Sequence, residues 1–304
     1  MKKLATVVIR TFNEARYLDE LLSEISKQNT NVVENEVVIV DSGSTDNTLE
    51  IAEKHNCRIT HIKQSEFTFG RSLNIGCEFA KGDILVFVSG HCIPASVDWL
   101  DELCRPIVEQ VAVYTYGRQM GRDTTKYSET KHFDKWFPEY SKIPQEGFFC
   151  NNANAAVSRE SWEKFGFNEE LTGLEDMYLA KQLVESGVKI GYVSSAPVYH
   201  IHDEPWSKLR TRYEREAYAL QKIMPEVHFS FTDFLRFLIS GVMSDFAAAI
   251  REKLFLKRCV EIVLFRYNHY WGTYKGNHEM RKLSAKQKFH YFYPKDVEKE
   301  FYHD

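Results

Sequence analysis

Two β-type runs in this chain each stop abruptly in a polar cluster: Thr6-Val7-Val8-Ile9-Arg10-Thr11-Phe12-Asn13-Glu14 and Val37-Val38-Ile39-Val40-Asp41-Ser42-Gly43-Ser44-Thr45-Asp46. An open α/β sheet builds a ligand site in this way, at the carboxyl ends of neighbouring strands. Between the runs, the segment from Tyr17 to Ile25 sets Leu18, Leu21, Leu22 and Ile25 on one helical face. Strand, helix, strand therefore makes a parallel pair, with Glu14 and Asp41 at adjacent strand ends.

The alternation continues. Asp46 to Glu53 reads as a helix with Asp46 as its N-cap, Arg58 to Ile62 as a short strand, and Phe69 to Ala80 as a helix. Gly82-Asp83 then turns into Ile84-Leu85-Val86-Phe87-Val88, the strongest strand pattern in the chain, which stops at Ser89-Gly90-His91. A helix is expected from Val97 to Val108 and strands over Val111 to Tyr114, Asn151 to Val157 and Lys189 to Val193. A helix opening with Glu175-Asp176 lies between the last two. Residues 118–149 are polar, aromatic and poorly periodic, suited to an acceptor-facing insertion. From about residue 205 the pattern turns helical, aromatic and basic.

Composition narrows the class. The chain has 304 residues, 43% of them hydrophobic, enough for a full core, and the formal charge of -4 argues against a nucleic-acid binder. Between Lys208 and Lys288, Lys and Arg outnumber Asp and Glu by about two to one. The six cysteines show no C-x-x-C spacing, so buried reduced thiols in a cytoplasmic protein are expected. Met1-Lys2-Lys3-Leu4 runs straight into the first strand, so no signal peptide is expected. No uncharged apolar stretch reaches the length of about 18 residues that a spanning helix needs.

Arg10-Thr11-Phe12-Asn13-Glu14 followed by Val40-Asp41-Ser42-Gly43-Ser44-Thr45-Asp46 resembles the opening of the family 2 glycosyltransferases, over roughly residues 4 to 203. The resemblance implies the GT-A fold, a mostly parallel sheet flanked by helices. It also implies a nucleotide-sugar donor and an inverting reaction. Thr11, Asn13, Glu14, Asp41 and Ser44 would then line the nucleoside pocket. Arg71 and Asn74, in the family's Arg-x-x-Asn-x-Gly pattern carried here as Arg71-Ser72-Leu73-Asn74-Ile75-Gly76, would extend it.

The chain departs from the family at Ser89-Gly90-His91, where an Asp-x-Asp motif is usual. In that respect it is similar to the Asp-x-His of the polypeptide N-acetylgalactosaminyltransferases, in which a second histidine follows the acidic helix. Here that histidine is His200, so the resemblance implies a His91/His200 metal site. Two imidazoles with diphosphate oxygens and water suit manganese better than magnesium. The alternative is a metal-free site in which His91 bonds a phosphate. Ser89 and Gly90 would stay beside the donor, and His202 is left unassigned.

Inversion needs a carboxylate opposite the leaving diphosphate to take the proton of the attacking hydroxyl. By resemblance this is Asp176, the last acid of the pair with Glu175. Asn152 and Asn154 carry amides suited to sugar hydroxyls, with one of the two expected to face the core. Trp206, Arg210 and Arg212 follow a proline and read as a mobile lid over the diphosphate.

The expected organisation is a catalytic domain over 1–204 and a helical extension over 205–304 that serves as lid, membrane contact or dimer contact. The expected activity is transfer of one sugar to a glycan or lipid-linked glycan in bacterial surface polysaccharide synthesis. The protein would work in the cytoplasm, peripherally on the inner face of the membrane, with no nucleic-acid partner. The alternatives are a catalytically inactive nucleotide-sugar-binding or scaffold protein and a nucleotidyltransferase.

Overall fold

A computed structural model of the protein describes residues 2–279, 283 and 285–293. Eight strands form one sheet: β1 (Lys3–Thr11), β2 (Val33–Asp41), β3 (Arg58–His61), β4 (Ile84–Val88), β5 (Cys92–Pro94), β6 (Tyr114–Met120), β7 (Asn154–Ser158) and β8 (Ile190–His200), in the spatial order β3-β2-β1-β4-β7-β6-β8-β5. The pairs β2·β3, β1·β2, β1·β4 and β6·β8 are parallel, and β4·β7, β6·β7 and β5·β8 antiparallel.

The continuous apolar runs at β1, β2 and β4 follow from burial on both faces. Successive side chains alternate, so Val7, Ile9, Ile39, Ile84 and Val86 enter one core while Val8, Val38, Val40, Leu85 and Phe87 enter the other. The first core is closed by α1 (Ala15–Ser26), through Leu18, Leu21, Leu22 and Ile25, and by α4 (Trp99–Val108). The second is closed by α3 (Phe69–Phe79), α6 (Arg159–Phe165) and α7 (Glu175–Glu185). Helix α3 lies so close to the sheet that a Cβ on Gly76 would stand 2.4 Å from Val8 Cγ1 and 2.9 Å from Val40 Cγ2.

Several expected boundaries move. Helix α2 (Thr48–Lys54) has Asn47 at its N-cap, not Asp46. The Asp46 carboxylate instead accepts from the N–H groups of Thr48 and Ala15, which ties the loop after β2 to the start of α1. The region 118–149 holds the end of β6 and α5 (Tyr127–Trp136). The last strand does not stop at Val193. β8 runs on through the irregular stretch Ser194-Ser195-Ala196-Pro197 to His200: after a register shift between Gly117 and Gln119, β6 pairs with Val198 and Tyr199, and β5 pairs with Val198 to His200 on the other side.

The chain divides into two compact units: Met1–Asp123, Phe133–Glu169 and Glu175–His202 form one, and Thr124–His132, Glu170–Leu174 and Asp203–Asp304 the other. The second contains α8 (Trp206–Ile223), α9 (Phe231–Arg251), α10 (Phe255–His278) and α11 (Ala285–Phe292). Helices α8 and α10 meet backbone to backbone: a Cβ on Gly272 would lie 2.4 Å from the Arg210 carbonyl oxygen, and one on Gly276 2.0 Å from that of Glu214. Among the described residues, no helix is long and apolar enough to cross a membrane.

Candidate active site

The ends of β1 and β2 stand in register, Thr11 beside Asp41. Asp41 accepts from Thr11 Oγ1 (3.0 Å), Gly43 N (2.8 Å), Ser44 N (2.9 Å) and Ser44 Oγ. Four donors fill the carboxylate's usual capacity, so Asp41 shapes the loop from within. Gly43, at φ +94°, permits the turn. Asn13, itself at φ 55°, accepts from Thr45 N (2.8 Å) and donates its own N–H to Ser44 Oγ (2.9 Å). Thr11, Asn13, Asp41 and Ser44 thus form one rigid bonded loop, and Glu14 is held beside it by its N–H bond to Thr48 Oγ1 (2.9 Å).

Strand β4 delivers Ser89-Gly90-His91 against that loop. A Cβ on Gly90 would come 3.0 Å from Glu14 Cγ, and His91 Nδ1 lies 3.5 Å from Glu14 Oε1. Backbone pairing joins this turn to the end of β8: Cys92 is in register with His200, and Ile201 N donates to the His91 carbonyl at 3.1 Å. The result is a cluster of His91, His200 and His202, each with a ligand atom within 4.8 Å of the others. His202, unassigned from sequence, belongs to the group.

The tautomer of a neutral His200 can be read from its neighbours. Asn151 Oδ1 accepts from the Ala153 N–H at 3.0 Å, which fixes it as oxygen. Gln119 therefore turns its amide nitrogen to Asn151 (3.0 Å) and its oxygen to His200 Nδ1 (2.7 Å). Nδ1 carries the hydrogen in that bond, so in the neutral ring the lone pair sits on Nε2. A carbonyl-type acceptor on the far nitrogen is the usual outer support of a metal-binding histidine. The donor set fits a divalent ion of borderline softness on His91 and His200, as the resemblance implies. Gln119 lies in the poorly periodic region 118–149 and Asn151 at the start of an expected strand, and nothing in the pattern singled out either.

The same short segment also holds the acidic pair. Asn152 N donates to Asp176 Oδ2 at 2.8 Å and Met177 N to Oδ1 at 2.7 Å, at the start of α7. Asp176 is buried; burial first, and the charge of Glu175 second, push its carboxyl up to about 7. Glu175 faces Arg10, whose Nη1 lies 3.5 Å from Oε1, a contact the sequence reading did not foresee. The side-chain amide of Asn152 accepts from Tyr114 Oη at 2.6 Å, while its buried Nδ2 has no protein acceptor.

Two expected contacts take other roles. Asn154 is the member of its pair that faces the core: Oδ1 accepts from Trp99 Nε1 (2.8 Å) and Nδ2 donates to the carbonyls of Ala196 (2.8 Å) and Arg118 (3.1 Å), which leaves nothing for a sugar. Asn74 is equally saturated, accepting from Trp162 Nε1 and Phe167 N and donating to Phe167 O and Glu169 Oε1. It pins the loop after α6 instead of reaching outward. Arg71, on α3, is half-exposed beside Glu66 at 3.6 Å.

Trp206, Arg210 and Arg212 belong to the second unit and are helical, not a loop: they occupy the first turns of α8. Arg212 is held by Glu204 and Glu129, both at 2.7 Å; burial lowers its pKa, but those two charges outweigh it and hold the group well above its ordinary value. Trp206 packs against Leu209, Tyr213 and Phe265.

The model of the family described as Glycosyl transferase family 2 matches residues 6–166, more than half of the chain. Curated relatives include the O-antigen chain rhamnosyltransferases RfbN of Salmonella typhimurium, 26% identical over 65% of this chain, and WbaN of Salmonella anatum, 28% identical over 65%. The match spans 66% of each relative's length. Among solved structures, the mannosyltransferase PcManGT from Pyrobaculum calidifontis in complex with GDP-Man and Mn2+ superposes with a TM-score of 0.58 at 18% identity, over 94% of this chain and 78% of that one. S. aureus TarS 1-349 in complex with UDP-GlcNAc gives 0.51 at 18% identity, over 92% and 93%. These structures have the same fold.

Proposed function

Since the chain belongs to glycosyl transferase family 2, we propose that it moves one sugar from a nucleotide-sugar donor to a glycan or lipid-linked glycan acceptor, with inversion, in bacterial surface polysaccharide synthesis. One observation carries the reading: a buried carboxyl pushed up to about 7 accepts from the Asn152 N–H, and the adjoining Asn151 is linked through Gln119 to His200 of the histidine cluster. A group poised near neutrality can take a proton at neutral pH, which is what a general base must do.

In this reading the loop of Thr11, Asn13, Glu14, Asp41 and Ser44 holds the nucleoside, with Ser89, Gly90 and Arg71 beside it. Asp176 takes the proton of the acceptor hydroxyl as that oxygen attacks the anomeric carbon, and the bond to the diphosphate breaks on the opposite face. The Asn152 and Met177 N–H groups keep the carboxylate aimed. The free Nδ2 of Asn152 is suited to a sugar hydroxyl, and Glu175, balanced by Arg10, disfavours a second negative charge on Asp176 until the proton is wanted. When bound on His91 and His200, a divalent cation, manganese in first place, supplies positive charge for the leaving diphosphate. Within the second unit, Arg212 is engaged by Glu204 and Glu129.

Helices α9 and α10 expose Leu235, Ile239 and Met243, and Leu256, Val260 and Val263, with Arg236, Lys253 and Lys257 also exposed. Apolar stripes among basic groups support a peripheral contact with an anionic lipid surface, where a lipid-linked acceptor would reside. Self-association through the same stripes is the competing use.

The test is turnover of a panel of nucleotide sugars, read as release of nucleoside diphosphate with and without acceptor extracts. One donor turned over by the wild type and not by Asp176→Asn supports the reading. Nucleoside diphosphate binding without turnover of any donor would leave the inactive binding-protein alternative.

A further inference from the structure

The inference rests on the divalent-metal part of the reading above and concerns a residue which that reading does not use. The cluster contains three imidazoles and no carboxylate, and each offers one ligand atom within 4.8 Å of the other two. Its geometry is set before any ligand arrives. The Ala153 N–H, Asn151 and Gln119 orient the His200 ring through Nδ1, so that Nε2 is the atom it offers as a ligand. The backbone of His91 is tied to Ile201. The Phe133 ring lies 5.8 Å from that of His200 and 6.1 Å from that of His202, at interplanar angles of 22° and 31°, and limits their rotation. His202 stands 4.0 Å from His200, ring to ring, closer than either stands to His91.

We propose that His202 is a third metal ligand, so that His91, His200 and His202 hold a first-row transition cation such as Mn2+ without help from nucleotide and discriminate against Mg2+. Two histidines alone would lean on diphosphate oxygens to complete the site. Three fixed imidazoles bind without them, whereas Mg2+ prefers oxygen ligands and gives up its waters reluctantly. Gln119 is a positioning residue: it sets the tautomer of His200 and touches no ion.

The experiment is titration of the full chain with Mn2+ alone, free ion being followed by electron paramagnetic resonance. The wild type is expected to bind one ion in the absence of nucleotide and to keep it in a large excess of Mg2+. His202→Ala should weaken binding by about tenfold or more, and Gln119→Leu by a similar factor, as loss of an outer support does. Echo-modulation spectra of the Mn2+-loaded wild type should count three imidazole nitrogens, a readout that needs no variant to fold. Two nitrogens, unchanged affinity in His202→Ala, displacement by equal Mg2+, or binding only after a nucleoside diphosphate is added would each overturn the proposal. The last three leave donor turnover, and so the transferase reading, standing. Three-nitrogen binding in a protein that turns over no donor would instead sink the function and keep the site.

Discussion

Replacing Asp176 by Asn should stabilise the protein at high pH while abolishing transfer. The carboxyl, ordinarily near 3.8, is pushed up to about 7 by burial and by Glu175. A raised folded-state pKa means that, between those two values, the folded chain holds a proton that the unfolded chain has released. Stability therefore falls as pH rises through the window, and above about 7 the full cost of the buried charge is present. From about pH 5.5 to about pH 8.5 the unfolded group is ionised throughout, and the folded one loses its proton over about 1.5 effective pH units. At about 1.36 kcal/mol per unit, that is about 2 kcal/mol. Asp176→Asn removes this contribution, so its unfolding free energy relative to wild type should improve by about 2 kcal/mol between the two pH values. Any fixed penalty, such as an amide nitrogen turned toward the N–H of Asn152 or Met177, cancels in that difference. Urea unfolding of both proteins at the two pH values measures it. A difference under about 0.5 kcal/mol, or one of opposite sign, would mean that Asp176 is already ionised near pH 5.5 and would refute the argument. Donor turnover by the wild type should rise with pH around a midpoint of about 7 and fall at least about a hundredfold in the variant.

Gly76→Ala should cost about 2 kcal/mol in chemical denaturation, since its methyl group would press on Val8 and Val40 from 2.4 and 2.9 Å; a neutral result would show that α3 can lift off the sheet freely. Asp245→Ala should be worse, about 3 kcal/mol or more, because it strands the buried Arg266 guanidinium now held at 2.7 and 2.9 Å. Co-sedimentation with vesicles rich in phosphatidylglycerol should capture the wild type and lose the triple variant Ile239→Glu, Met243→Glu, Val260→Glu. Equal capture would remove the lipid contact, and a dimer that dissociates in the same variant would assign the stripes to self-association.

The strands β1, β2 and β4 and helix α1 were legible because both a period and a full burial pattern marked them. The far half of β8 was not: Ser194 to Pro197 fall where β6 shifts register, and the strand is taken up again only at Val198 to His200, where β6 and β5 pair with it. The acidic pair stood out because two acids at a helix start are conspicuous, yet its pKa depends on burial, which residue spacing does not record. Asn74 and Asn154 illustrate the opposite limit. Their residue type signals a specific hydrogen-bonding task, and the task turned out to be internal, toward Trp162 and Trp99. Gln119 was invisible for a related reason: its importance arises only from what stands on either side of it.

The contact between α8 and α10 bears on how the cationic start of α8 can move. Gly272 sits against the Arg210 carbonyl and Gly276 against that of Glu214, so neither helix can rotate or slide without backbone meeting backbone. Whatever displacement carries Trp206 and Arg210 must therefore take both helices together, as a rigid lever and not as a flapping loop. A body of that size moves on the microsecond to millisecond scale of collective motion, so its signature belongs in relaxation dispersion and not in the fast amplitudes of a surface segment.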